Sequence, residues 1–130
     1  MDAREAVALW FEAGDRAIAS GDPRAALAAF ERAAQACLRA GDPAREIGAR
    51  LEIAAALLEL ERWQDFERAV SRLDDFHRRQ DLPEGVLVRA RVFARVALLA
   101  RERGETRSFF DLLHQVRRNR RSGEPKGGAR

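Results

Sequence analysis

The sequence predicts an all-α fold built as three helical hairpins in series, ending in a basic segment. Two copies of Gly-Asp-Pro, at 21–23 and 41–43, carry the first half of that reading. Glycine takes the left-handed position just past a helix C-terminus, where a Cβ would clash. Aspartate then accepts from the free N–H groups of the next helix, and proline tolerates its first position. The second observation is apolar periodicity at three- and four-residue spacing between these breaks. The third is composition: 46% hydrophobic and 35% charged residues with four prolines, the profile of an ordered, helix-rich chain.

The first helix is expected from about Ala3 to Ser20 and the second from Pro23 to Ala40, the latter with Ala26, Leu27, Phe30, Ala33, Ala34, Cys37 and Leu38 on one face. The third runs from Pro43 to about Leu60. Its stretch Leu51, Ile53, Ala54, Ala55, Ala56, Leu57, Leu58 is apolar almost all round, as in a helix covered on several sides. A turn near Arg62 leads into a fourth helix striped by Trp63, Phe66, Val70, Leu73 and Phe76. Asp81-Leu82-Pro83-Glu84-Gly85 reads as a break. The fifth helix then reaches about Arg103 with Phe93, Val96, Ala97 and Leu99. Val86, Leu87 and Val88 resemble a strand, but no partner strand exists, so they are read as helical. After Gly104-Glu105-Thr106 the sixth helix carries Phe109, Leu112, Leu113 and Val116.

The 130 residues suffice for one core without metal or disulfide. Residues 1–118 are expected to form the helical domain and 119–130 a flexible tail. A single cysteine excludes an intramolecular disulfide. The start, Met1-Asp2-Ala3-Arg4-Glu5, does not read as a secretory signal, and no apolar run approaches the ~20 residues of a membrane span. A cytoplasmic location is the expectation. The net charge of +3 is uneven: residues 117–130 carry +5, so the body is mildly acidic.

Trp10, Gly14, Ala17, Gly21, Ala26, Phe30 and Ala33 have the spacing W-x2-L-G-x2-Y, a turn, then A-x3-F. The chain thereby resembles the tetratricopeptide repeat family, with Ala13 where the pattern has Leu and Ala17 where it has Tyr. Ala54, Leu57, Trp63, Phe66, Val70 and Leu73 repeat it in the second hairpin. Phe93, Ala97, Ala100, Gly104, Phe109, Leu113 and Val116 do so in the third. The turn positions Gly21, Glu61 and Gly104 stand 40 and 43 residues apart, which resembles the longer-helix variety of the family. The resemblance implies a superhelical stack in which small residues such as Gly14, Ala26 and Ala33 let helices approach while Phe30 fills the gap.

The same resemblance implies a concave groove lined by the first helix of each hairpin. Its positions here are Phe11, Asp15 and Ile18, then Leu51, Ala55 and Leu58, then Ala94, Leu98 and Arg101, each set at i, i+4, i+7. Chaperone-binding members place Asn and Lys there to hold a C-terminal carboxylate; those positions are apolar or acidic in this chain, so the clamp is not expected. An apolar strip suits a peptide or amphipathic helix of a partner protein. The competing reading is that these side chains pack against one another.

No catalytic constellation is legible, and no enzyme activity or cofactor is expected. His77 and His114 are not spaced as metal ligands with each other or with Cys37. Cys37, on an inward stripe, reads as a small buried hydrophobe. Asp74 lies one turn before His77 and reads as a surface pair. Function is therefore expected in protein–protein interaction, as an adaptor, scaffold or small chaperone. Phe110 lies off the stripe of the last helix. It is a candidate for homodimer formation through an uncapped end, or else it tucks under the fifth helix. Arg117, Arg118, Arg120 and Arg121 suit a helix C-terminus, and form the alternative site, for nucleic acid or an acidic surface.

Overall fold

A computed structural model describes residues 1–80 and 84–121, apart from the side chains at 74, 77, 79, 80, 84–87, 89, 90 and 116–121. All its regular structure is helical: α1 (Ala3–Ala19), α2 (Pro23–Ala40), α3 (Pro43–Glu59), α4 (Trp63–Gln80), α5 (Glu84–Glu102) and α6 (Thr106–Arg121). Each expected helix is present. Val86, Leu87 and Val88 are helical, and Glu84 and Gly85 belong to α5 rather than to the break before it. The last helix continues three residues past the expected Arg118, so 119–121 are helical; the rest of the expected tail lies outside the described residues.

One turn chemistry recurs between the helices. The N–H of Gly21 donates to Ile18 O at 3.0 Å and that of Asp22 to Ala17 O at 2.9 Å, satisfying carbonyls the helix leaves open. The same pair of bonds forms at Gly41 and Asp42, at Glu61 and Arg62, and at Gly104 and Glu105. The left-handed backbone this needs has φ of 74°, 69°, 57° and 69° at Gly21, Gly41, Glu61 and Gly104. The residue that closes one helix also opens the next: Asp22 accepts from Ala25 N at 3.1 Å and Asp42 from Arg45 N at 3.2 Å. An unforeseen capping box starts α1, with Asp2 Oδ1 accepting from Glu5 N and Glu5 Oε1 from Asp2 N.

The chain divides into two compact units, Met1–Arg91 and Val92–Arg130. In the first, α1 packs on α2, α2 on α3 and α3 on α4. Short connections make such neighbours antiparallel, so the helices stack in series. Ala17, Ala26, Phe30, Ala33, Ala34 and Ala49 form one core cluster from three helices, with Trp10, Phe11, Ile18 and Ile53 leaning on it. Alanines thin the α1–α2–α3 contact, and Gly14 thins it furthest: a Cβ there would lie 2.5 Å from Phe30 ring carbons. Ile47, Leu73 and Phe76 join α3 to α4, with Leu51 beside them. In the second unit the rings of Phe93 and Phe109 meet at 5.8 Å.

Candidate interaction surfaces

The expected groove positions separate once neighbours are placed. Phe11 is half-buried, its ring edge-on to Phe30 at 5.7 Å and covered by the Arg45 guanidinium at 5.2 Å. Ile18 leans on the Phe30 cluster and Leu51 on Ile47, Leu73 and Phe76, while Asp15 is exposed. Ala55 and Leu58 are 3% and 0% exposed, so the apolar strip expected from the third helix is enclosed by the chain's own atoms there. Ala94 is buried, Leu98 half-buried and Arg101 exposed on one face of α5 in the second unit. The reason is local crowding. Alanine-rich packing brings the helices close enough for apolar residues on two adjoining faces to be covered, and periodicity does not distinguish those faces.

Other surfaces stand open among the described residues. In the second unit a hollow of about 300 Å³ lies between α5 and α6, lined by Val96, Leu99, Ala100, Phe109 and Leu112, with Arg103 and Glu105 at its edge. Val96 and Leu112 are 43% and 57% exposed, and Val92, one turn before Val96, is 55% exposed. Phe110 is half-buried and set edge-on to Phe109 at 5.8 Å, and among the described residues of this unit the large exposed hydrophobics are Val92, Val96 and Leu112. The spacing of Val92 and Val96 was legible in the sequence; their exposure was not.

In the first unit a cavity of about 830 Å³ lies over α3 between α2 and α4. Its apolar wall is Leu38, Ile53 and Leu57, and it is lined by Arg50 of α3, Arg62 of the α3–α4 turn, and Arg68 and Arg72 of α4. Arg50 is held from behind. Glu46, 2% exposed and a buried charge, accepts from Arg50 Nε at 3.0 Å and Nη2 at 2.6 Å. The Arg50 guanidinium also lies 5.3 Å above the Phe76 ring. Asp65 accepts from Arg62 Nε at 2.8 Å and, through its other oxygen, from Arg68. The Arg68 and then the Arg62 bonds hold the Asp65 carboxyl below its usual range. The Glu46–Arg50 pair could have been found from its i, i+4 spacing; its burial could not.

Elsewhere, Cys37 is 0% exposed, and burial followed by the nearby Asp42 charge pushes its thiol up, away from nucleophile chemistry. Among the described residues no cluster of His, Cys, Asp and Glu could hold a metal ion, and no helix is long and apolar enough to cross a membrane. The Asp74 and His77 side chains lie outside the described residues, as do those of Arg117, Arg118, Arg120 and Arg121 in the last turns of α6. A comparison with family models, curated proteins and solved structures finds no match.

Proposed function

We propose that this chain is a tetratricopeptide-like protein-interaction module, a non-enzymatic adaptor or small chaperone that holds the apolar face of a partner's amphipathic helix. The observation that carries the reading is the hollow between α5 and α6 with Val92, Val96 and Leu112 exposed around it. Val92, Val96 and Leu112 are already about half covered, so a helix laid there gains roughly half of the ~1.5–3 kcal/mol of a full burial at each, and the partner's own apolar side chains supply the rest needed to offset its ordering. The recurring helix-closing turn at Gly21, Gly41, Glu61 and Gly104 supports the repeat character. The single cysteine supports a cytoplasmic setting.

The test is affinity capture from lysate with the full chain and with Val96→Glu and Leu112→Glu, each checked for helicity by circular dichroism. A protein captured by the parent chain and lost from both variants, with helicity kept, supports the reading. Identical capture by all three sinks it. A second reading rests on charge, since residues 92–130 hold ten basic and four acidic side chains. If that segment binds nucleic acid, retention should fall steeply with salt and survive Val96→Glu.

A further inference from the structure

We propose that the cavity between α2, α3 and α4 is a second binding site, for an acidic peptide segment that alternates carboxylate and apolar side chains. Its lining lies within residues 31–72 of the first unit and shares no residue with the hollow of the second unit, so a substitution in one leaves the residues of the other intact. Three features select this ligand.

The cationic groups are set in place before any ligand arrives. Arg50 is fixed by the buried Glu46 carboxylate on one side and the Phe76 ring on another, which removes most of the rotamer entropy that anion binding would otherwise cost. Asp65 holds Arg62 and Arg68 on its two carboxylate oxygens, and Arg72 follows one turn after Arg68 in the same lining. Guanidinium groups match carboxylates through paired N–H donors, so a row of them favours oxyanions over neutral groups. Against Arg50, Arg62, Arg68 and Arg72 stand Glu31 and Asp65 in the lining and Glu46 behind Arg50, leaving one positive charge in excess.

The apolar wall points to a peptide rather than a bare anion. Leu38 is 66% exposed at the α2 rim, and Ile53 and Leu57 continue the wall on α3. An inorganic ion would leave this surface in water. A segment with apolar residues between its carboxylates covers it and the arginines together. At about 830 Å³ the cavity takes several residues.

Fluorescence anisotropy of a short fluorescein-labelled peptide alternating Glu and Leu, titrated with the full chain at low salt, tests the proposal. Arg72→Ala and Arg50→Lys should each weaken binding at least about fivefold, the latter because lysine keeps the charge and loses the fork. Arg16→Ala, an exposed arginine paired with Glu12 on α1, removes the same charge outside the cavity and should change affinity less than about twofold. Val96→Glu should leave binding unchanged, which separates this site from the second unit. The proposal is overturned if Arg16→Ala weakens binding as much as Arg72→Ala, or if the Lys/Leu counterpart binds equally. It also falls if inorganic phosphate displaces the peptide at comparable concentration. Self-association lost on Arg72→Ala would place a second copy of the chain in the cavity instead.

Discussion

Replacing Gly14 with Ala adds one methyl group where α1 meets α2, and the structure gives its cost. The new Cβ would lie 2.5 Å from Cε2 and Cζ of Phe30 and 2.8 Å from Cε1. Carbon atoms rest about 3.5–4.0 Å apart, so helix or ring must yield by roughly 1 Å. Phe30 has little room to give: it is 1% exposed, and Phe11 lies edge-on to its ring. Overpacking of this kind costs about 1–3 kcal/mol, while Ala in place of Gly inside a helix returns about 0.8–1 kcal/mol. The expected net loss is therefore up to about 2 kcal/mol, a fall in Tm of up to several degrees for a domain of this size. Gly48 in α3 supplies the control, because a Cβ there meets nothing within 4 Å. Gly48→Ala should raise Tm by the propensity alone. Thermal and urea melts followed by circular dichroism decide between them. If Gly14→Ala is as stable as Gly48→Ala, α1 and α2 do not approach as described. Phe30→Leu in the Gly14→Ala background should recover part of the loss, a coupling that a purely local helix effect would not produce.

Glu61 closes α3 with φ of 57°, where the matching turns have glycine. Glu61→Gly should therefore stabilise the chain by about 0.5–1 kcal/mol, read as a higher urea midpoint at an unchanged slope. Cys37 should resist iodoacetamide at pH 8 in the native chain and react once urea unfolds it; prompt labelling without denaturant would contradict its burial. Asp65 has a carboxyl pKa lowered by Arg68 and Arg62, so its folded value lies under the unfolded one. The stability it contributes is present above about pH 4 and is lost as pH falls through the folded value. Asp65→Asn should flatten that part of an acid titration of stability, and an unchanged profile would show the arginine fork is not formed in solution.

How much could be read beforehand depended on how local each feature is. Gly-Asp-Pro at 21–23 and 41–43 specified both a left-handed residue and the side-chain cap beside it, because turn and cap involve only a few consecutive residues. The six helices followed for the same reason. Glu61 was placed as a turn position by comparison with Gly21 and Gly104, and it adopts their backbone without being glycine. The resemblance gave Gly14 as a point of close helix approach and Phe30 as the filler between successive hairpins; that the Phe30 ring lies against Gly14 within the first hairpin came from the structure.

Exposure was legible only in part. The all-round apolar stretch of α3 marked Leu58 as covered, and it is, whereas Val96 on the stripe of α5 is 43% exposed. Nothing in the periodicity of α5 announces that, because burial is set by how closely other helices approach. Likewise Glu46 and Arg50 look like an ordinary surface pair until the fold encloses the carboxylate and turns the guanidinium toward a cavity. By itself the sequence determined the number and order of the helices and the turns at 21, 41, 61 and 104 between them, through short-range sterics and hydrogen bonds. Only tertiary structure decided which apolar and charged faces remain open to another molecule, since solvent accessibility is a property of neighbours distant in the chain.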